Sequence, residues 1–350
     1  MNNSFGELFR VTTFGESHGP ALGAVVDGVP AGMALDAADI QKALDRRKPG
    51  QSVFTTPRKE ADAVEILSGV FEGRTTGTPV ALLIRNQDQR SRDYGDLAEV
   101  FRPGHADYGY WKKYGVRDYR GGGRSSGRET AARVAAGAIA AKYLLEKYGI
   151  VIRAWTEAVA GISGRRVDAD FIEKNALRAA DPEMYPAMEQ AAKDAIAAND
   201  SVGGIVACMI ENVPAGLGEP VFDKLDALLA HAMLSLGAVK GIEFGDGFAA
   251  AGLRGSENND AMSPAGMLTN HAGGILGGIS TGAPINFRIA VKPTPSIRQE
   301  QQTVDQENHA RTITIQGRHD PCICPRIVPV VESMAAIVLM DLVLRSVREI

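Results

Sequence analysis

Two sequence blocks occur twice in this chain, in the same order. VPAG at residues 29–32 recurs at residues 213–216, and GVFEGRTTGTPV at residues 69–80 recurs as GILGGISTGAPI at residues 274–285. The offsets between the copies are 184 and 205 residues, so the second copy carries a 21-residue insertion between its blocks. Because this period is far too long for a solenoid, we expect one α+β unit that is used twice.

Each predicted unit ends in a long apolar helix. The first covers residues 128–148 and includes AARVAAGAIAAKYLL, and the second covers residues 326–348. Both are apolar nearly all round, which indicates helices buried between layers rather than laid on a surface. Shorter helices are predicted at residues 36–47 and 221–234.

These elements predict the architecture. Two buried helices with a sheet outside each give an α+β fold, an internally duplicated four-layer β-α-α-β sandwich with mainly antiparallel sheets. We expect a single domain with two pseudo-repeats, at about residues 1–150 and 151–350.

The distribution of charge points to a small anionic ligand. The net charge is −4, yet seven Lys and Arg residues lie between Arg102 and Arg128, against Asp107 and Asp118. An acidic protein with focused basic loops is typical of a site for a small polyanion, whereas a nucleic-acid-binding domain is usually basic throughout. A nucleic-acid-binding module that uses residues 102–128 is kept as an alternative.

Other features predict a cytoplasmic protein. The N-terminus lacks the basic and apolar regions of a secretory signal, and three cysteines are too few for a disulfide framework. The most apolar segment, residues 327–344, is interrupted by Glu332, Ser333 and Asp341, so we expect no membrane span.

The segment FGESHGP at residues 14–20 contains GESHG, which matches the nucleophile elbow of serine hydrolases. That elbow needs a strand, a sharp turn and a helix. LFRVTTF at residues 8–14 is typical of a strand, but ALGAVVDGVP at residues 21–30 predicts a second strand in place of the helix. The pattern therefore favours a polar loop that carries a functional His18, with a serine hydrolase using Ser17 as the alternative.

The segment RGGGRSSGRE at residues 120–129 is a candidate anion site. Its glycines free the backbone to surround an anion, and Ser126 with Glu129 predicts a capping box at the start of the long helix. The helix N-terminus favours phosphate, and Arg124 and Arg128 add positive charge. His105 lies in the loop FRPGHADY, so two loop histidines near arginines suit acid catalysis on a phosphate leaving group.

A metal site is not expected. The run HDPCIC at residues 319–324 has one C-x-C pair and lacks the second pair that a zinc site needs.

Six motifs together resemble the chorismate synthase family, over a stretch from about residue 5 to the C-terminus. They are FGESHG (14–19), DRRKPGQ (45–51), RPGHADY (102–108), RDYRGGGRSSGRET (117–130), NHAGGILGGIS (270–280) and GRHDPCICP (317–325). The resemblance implies conversion of 5-enolpyruvylshikimate 3-phosphate to chorismate, the last common step toward the aromatic amino acids. The reaction is a trans 1,4-elimination of phosphate and a ring proton, and it requires reduced FMN without net redox change.

The resemblance also implies roles for single residues. His18 is similar to the histidine that assists phosphate departure, and His105 to the one that protonates reduced flavin at its first ring nitrogen. Asp341 resembles an aspartate that helps to move a proton at the central ring nitrogen.

Further residues are implied to bind ligands. The implied FMN contacts are Arg124, Ser125, Ser126, Gly237, Ala238, Gly277, Lys292, Pro293, Thr294, Pro295, Ser296 and Arg318. Arg47 resembles a residue that contacts substrate or NADPH, and Arg102 and Arg128 are implied to contact substrate. Val53 stands where many bacterial relatives have a second arginine, which argues against a paired-arginine NADPH site and leaves open a separate flavin reductase. The family resemblance implies a homotetramer.

Overall fold

The computed structural model describes residues 3–56, 58, 60–87, 98–315 and 319–346. In the first half, the elements are β1 (Ser4–Phe5), β2 (Arg10–Gly15), β3 (Ala21–Asp27), α1 (Ala37–Arg47), β4 (Val64–Ile66), β5 (Val70–Phe71), β6 (Arg74–Thr75), β7 (Val80–Arg85), α2 (Asp107–Tyr114) and α3 (Thr130–Tyr148). In the second half, they are β8 (Val151–Val159), β9 (Ile162–Ser163), α4 (Tyr185–Ala197), β10 (Gly204–Glu211), α5 (Leu225–Leu234), β11 (Val239–Phe244), α6 (Gly255–Asn258), β12 (Met262–Ser263), β13 (Gly266–Met267), β14 (Ile275–Leu276), β15 (Ile279–Ser280), β16 (Ile285–Val291), β17 (Glu300–Val304), β18 (Ala310–Thr314) and α7 (Cys324–Arg345).

Two five-stranded antiparallel sheets form the frame of the molecule. The first has the order β1-β2-β3-β7-β4, and the second has the order β11-β16-β10-β8-β9. Side chains alternate along the strands as one-sided burial requires: Leu22, Ala24 and Val26 of β3 are buried, whereas Val25 is exposed. The prediction of a mixed α and β fold with mainly antiparallel sheets is confirmed.

Four strands of each sheet share one connection pattern. In chain order, β2, β3, β4 and β7 lie in the spatial order β2-β3-β7-β4, and β8, β10, β11 and β16 lie in the order β8-β10-β16-β11. In both halves a helix follows the second of these strands and a long helix follows the fourth.

The repeated sequence blocks make the same hydrogen bonds in both halves. Thr75 Oγ1 donates to Pro30 O at 2.6 Å and accepts from Met33 N at 3.0 Å. Ser280 Oγ donates to Pro214 O at 2.6 Å and accepts from Leu217 N at 2.9 Å. In each half, one hydroxyl therefore locks the turn after the second strand to the hairpin that precedes the fourth.

The two long helices, α3 and α7, pack against each other in the core. Gly137 of α3 meets Ser333 of α7 so closely that a Cβ on the glycine would lie 2.5 Å from Ser333 Cβ. Helix α3 also contacts β3 and β7 of the first sheet, and α7 contacts β8 and β10 of the second. Among the described helices, α7 alone is long and apolar enough to span a membrane, and 89% of its most apolar 18-residue window is buried inside the protein.

The start of α3 differs from the predicted capping box. Ser126 does cap a short turn, since its Oγ accepts from Arg128 N at 3.2 Å. Glu129, however, accepts from Thr13 Oγ1 at 2.7 Å and pairs with Arg133 at 2.8 Å. The capping-box prediction is wrong because the Glu129 carboxylate is held by β2 and by a cation one turn along its own helix.

Candidate active site

His18 lies in the loop that joins β2 to β3. Its Nδ1 is 3.1 Å from Ser17 Oγ, and the ring faces Gly121, where an added Cβ would lie 2.3 Å from Nδ1. Ser17 is 3% exposed, and the loop leads into strand β3 rather than into a helix. These features do not support a nucleophile elbow at Ser17.

The surroundings of His18 lower its pKa and so favour the neutral imidazole. Burial lowers its pKa below 6.5, and the positive charges of Arg58, Arg120 and Arg102 lower it further, against the opposing effect of Asp118. Arg58 is itself held by Glu60, to which its Nε donates at 2.9 Å. An anion that offsets these cations would raise the pKa of His18 and allow the ring to carry a proton.

His105 contacts the segment Lys292–Ser296. The two segments are far apart in sequence, so this contact could not be predicted from sequence spacing. His105 Nε2 is 2.7 Å from Ser296 Oγ, and Lys292 Nζ donates to Gly104 O at 2.8 Å. Gly104 has φ +71°, and a Cβ there would lie 2.7 Å from Pro295 Cβ, so this close approach requires glycine. Burial, followed by the charge of Arg102, lowers the pKa of His105 to about 3.

The low pKa of His105 makes folding stability depend on pH. Between pH 6.5 and about 3 the unfolded chain binds a proton at this histidine and the folded chain does not, so stability falls as the pH falls. From pH 6 to pH 4 we expect the free energy of unfolding to decrease by roughly 2–3 kcal/mol more in the natural protein than in His105→Gln. Urea unfolding at both pH values measures this difference, and equal losses in the two proteins would contradict it.

Arg102 is buried in a tight ion pair. Its Nε and Nη2 each donate to an Asp107 carboxylate oxygen at 2.7 Å, and Nη2 also reaches Gly121 O at 3.3 Å. Arg117 joins the same carboxylate at 3.2 Å. Arg102, Arg117 and Arg128 pair with buried carboxylates, so three of the seven cations of segment 102–128 are turned away from solvent, whereas Lys112, Lys113 and Arg120 are exposed.

Arg47 and Arg128 share one buried carboxylate. Arg47 Nη1 donates to Asp62 Oδ2 at 2.8 Å, and Arg128 Nη1 donates to Asp62 Oδ1. Arg47 and Asp62 are each 1% exposed, and Arg128 is 4% exposed. Burial lowers the pKa of Arg47, with Asp62 opposing the effect.

A cavity of about 300 Å³ lies at the start of α3. Its lining includes four arginines, Arg47, Arg124, Arg133 and Arg326, against the single carboxylate of Glu129. The predicted flavin residues Ser125, Ser126 and Gly237 line the same cavity. This donor set suits an anionic ligand.

Close to this cavity, two buried guanidinium groups each have one nitrogen that donates no hydrogen bond. Arg326 Nε has no hydrogen-bond partner among the described residues, and Arg128 Nη2 makes no hydrogen bond there but lies 3.9 Å from the carboxylate of Glu60. By contrast, both terminal nitrogens of Arg124 donate hydrogen bonds within the protein. Nη1 donates to Gly15 O at 3.0 Å, and Nη2 donates to Thr13 Oγ1 at 2.7 Å. Unmatched buried donors are costly, so an oxyanion of a ligand would be their natural acceptor.

Several predicted residues lie apart from this cavity. Asp341 Oδ1 accepts from the backbone N–H groups of Glu7, Leu8 and Phe9 at 2.9, 2.7 and 2.9 Å, and the residue lines a separate cavity of about 250 Å³. Gly277 lies in the β14–β15 hairpin, with φ +62°.

The remaining predicted residues are placed as follows. The carbonyl oxygen of Ala238 accepts a hydrogen bond from Lys292 N at 2.9 Å. This bond connects the segment that contains Gly237 with the segment that contacts His105. Val53 and Ser296 line a third cavity, of about 630 Å³. Arg318 lies outside the described residues.

Among the residues that line the 300 Å³ cavity, sequence reasoning missed the polar side chains of Tyr110, Arg133 and Arg326. Arg133 follows Glu129 by four residues on the face of α3, a spacing that indicates an ion pair rather than a site. Arg326 directly follows the GRHDPCICP motif, and that position was the one available signal.

Comparison with known proteins gives a consistent result. The family model described as chorismate synthase matches residues 9–344. A chorismate synthase from Aromatoleum aromaticum (strain DSM 19018 / LMG 30748 / EbN1) is 57% identical over 343 residues, which cover 98% of this chain and 91% of that protein. This chain belongs to the chorismate synthase family. A crystal structure of a chorismate synthase, 33% identical, superimposes with a TM-score of 0.75 over 97% of this chain and 93% of its own.

Membership of the chorismate synthase family makes the chain a lyase of aromatic biosynthesis. The arginine-lined cavity and the two loop histidines are therefore the candidate active site of a chorismate synthase. Among the described residues, no group of three or more His, Cys, Asp or Glu side chains could hold a metal ion.

Proposed function

We propose that this chain converts 5-enolpyruvylshikimate 3-phosphate to chorismate by trans 1,4-elimination of phosphate and a ring proton. The observation that carries the proposal is the junction at Gly121. His18 packs against this glycine, Arg102 donates to its carbonyl oxygen, and His105 follows Arg102 by three residues. Two histidines with lowered pKa values thus flank one arginine-rich region, which suits a substrate that carries a phosphate and two carboxylates.

In this proposal His18 is the acid for phosphate departure. Burial and the charges of nearby arginines lower the pKa of the ring, which favours its neutral form. A bound phosphate dianion offsets those charges, raises the pKa of His18 and so protonates the ring where the proton is needed. In this proposal, substrate binding itself therefore converts His18 into the protonated, acidic form.

The flavin site is proposed on the same grounds. Arg124, Ser125, Ser126 and Gly237 would hold reduced FMN beside the cavity, and Lys292 would add charge for the flavin phosphate. When bound, the reduced flavin would supply an electron-rich ring next to the substrate, while the overall reaction stays redox-neutral. His105, neutral and hydrogen-bonded to Ser296, would face this ring and exchange a proton at its first nitrogen.

A proton-moving role for Asp341 stays a prediction. Its three backbone hydrogen bonds are those of a structural anchor, and they leave its second oxygen facing Arg345 at 3.7 Å.

The function is tested by anaerobic turnover of 5-enolpyruvylshikimate 3-phosphate with purified protein. We expect full activity with dithionite-reduced FMN and poor activity with FMN plus NADPH, because Val53 stands in place of an arginine. Absence of chorismate with reduced FMN would sink the proposed function. Efficient turnover with NADPH alone would instead show that no separate reductase is needed.

Arg124→Ala is expected to weaken FMN binding, because the variant loses a cation that lines the cavity. Loss of a hydrogen bond to a charged partner costs about 1.5–3 kcal/mol, or roughly 10-fold to 150-fold in the dissociation constant. Lys112→Ala is the matched control, since Lys112 is exposed and lies outside the cavity. Fluorescence titration of FMN checks both variants, and equal affinities would remove Arg124 from the site.

We also propose that the chain is an internally duplicated four-layer sandwich. The shared strand order and the matched bonds of Thr75 and Ser280 support a duplication of about residues 1–150 into residues 151–350. Helices α3 and α7 contact each other, and α3 lies mainly against the first sheet and α7 against the second, which supports the layer order β-α-α-β.

A homotetramer in the cytoplasm completes the proposal. Phe222 and Phe248 are 91% and 84% exposed, and covering them in a subunit contact would remove apolar surface from water. Cys208, Cys322 and Cys324 are free and buried, as in proteins of reducing compartments. Sedimentation analysis tests the tetramer.

A further inference from the structure

The side chain of Asn86 brackets the turn that carries His18. Its Nδ2 donates to Glu16 O at 3.0 Å and to Gly19 O at 2.8 Å. Gly19 N closes the same turn by donating to Glu16 O at 3.3 Å. One carboxamide therefore holds both ends of a four-residue turn, with Ser17 and His18 between them.

The other side of Asn86 is fixed as well. Its Oδ1 accepts from Arg128 Nε at 2.9 Å, and its backbone N–H donates to Pro20 O at 3.0 Å. The NH₂ group faces two carbonyl acceptors and the oxygen faces a guanidinium donor, so one orientation of the amide satisfies all three bonds. The turn is thereby linked through Arg128 to the buried carboxylate of Asp62.

We propose that Asn86 is a positioning residue for His18, which sets the imidazole beside the neighbouring arginines Arg58 and Arg102 through the turn at residues 16–19. The inference rests on the proposed acid role of His18. A displacement of about 1 Å in a catalytic group can cost 10²-fold in rate, so a turn held at both ends by one amide has a direct effect on chemistry. Asn86 itself touches neither substrate nor flavin in this assignment.

Two variants test the donor and acceptor groups of the Asn86 side chain. Asn86→Asp keeps an oxygen for Arg128 but replaces the donor with a carboxylate oxygen that faces two carbonyls. Asn86→Ala removes both sets of bonds. If Asn86 positions His18, both variants lower single-turnover chorismate formation with prereduced flavin by about 10–100-fold. The dissociation constant for oxidised FMN should stay within about twofold.

Asn175 provides a matched control in the second half of the chain. Its Nδ2 donates to Phe171 O at 2.8 Å and to Ala179 O at 2.9 Å, so it also braces a loop with one amide. Asn175→Ala should lower the urea midpoint as Asn86→Ala does, with an unchanged single-turnover rate. A comparable loss of rate in both alanine variants would overturn a specific role for Asn86.

The double variant His18→Ala/Asn86→Ala gives the decisive readout. A residue that acts through His18 has nothing left to position, so the double variant should be no slower than His18→Ala alone. Multiplied losses would overturn the inference, as would near-normal rates in both Asn86 variants. If His18→Ala itself turns over normally, the proposed acid role fails instead, so the two failures are distinguishable.

Discussion

Replacing His18 with alanine is expected to slow single-turnover chorismate formation by about 10²–10⁴-fold, the usual contribution of a general acid. The physical reason is that the departing phosphate then leaves without a proton from the ring beside Gly121. Oxidised FMN and substrate should still bind. Prereduced flavin keeps cofactor reduction out of the measured rate.

Ser17→Ala is the control for this experiment. Its hydroxyl lies 3.1 Å from His18 Nδ1 and orients the ring, so we expect a far smaller loss of rate. A nucleophilic serine would give the reverse pattern, with the serine variant almost inactive. Near-normal turnover by His18→Ala would refute the acid role.

Asp62→Asn is expected to lower the free energy of unfolding by roughly 3–5 kcal/mol. The change removes the carboxylate paired with Arg47 and leaves Arg128 with Glu60 alone, 3.9 Å from its Nη2, and removal of one partner from a buried ion pair is strongly destabilising. Asp62 has φ 49°, a conformation that asparagine tolerates, so the substitution changes charge with little backbone strain. Chemical denaturation with flavin absent measures the effect.

Asp45→Asn is the control for charge removal on the surface. Asp45 pairs with Lys48 at 2.9 Å, with both side chains more than a third exposed, so we expect a change within about 0.5 kcal/mol. Inorganic phosphate should partly restore the stability of Asp62→Asn if the two arginines face an anion site. Equal stability of the two variants would show that the buried pair contributes little.

The helices were predictable because their signals are local. The pattern predicts a helix at residues 36–47, and α1 spans Ala37–Arg47 behind a capping box formed by Asp36 and Asp39. The helix predicted at residues 326–348 begins earlier, at Cys324, because Pro325 is accepted in a first turn.

The charged partners were not predictable from the sequence. Asp62 joins Arg47 and Arg128, which are 15 and 66 positions away, and nothing in local composition selects one carboxylate from many. His105 and Ser296 meet across 191 positions, a contact that the family resemblance suggested only by placing both at one cofactor. The four-residue spacing of Asp341 and Arg345 indicates an ion pair on one helix face. The main hydrogen-bond partners of Asp341, however, lie at the other end of the chain.

That last contact has a consequence for how the enzyme is made. The carboxylate of Asp341 ties residues Glu7–Phe9, which lead into β2 and the His18 loop, across sequence separations of 332–334 residues. Contacts between residues so far apart in sequence tend to form late in folding, because closing a long loop costs conformational entropy. On the ribosome this contact cannot form until α7 has emerged, so the segment that leads into β2 and the His18 loop gains this anchor only when nearly the whole polypeptide has been made.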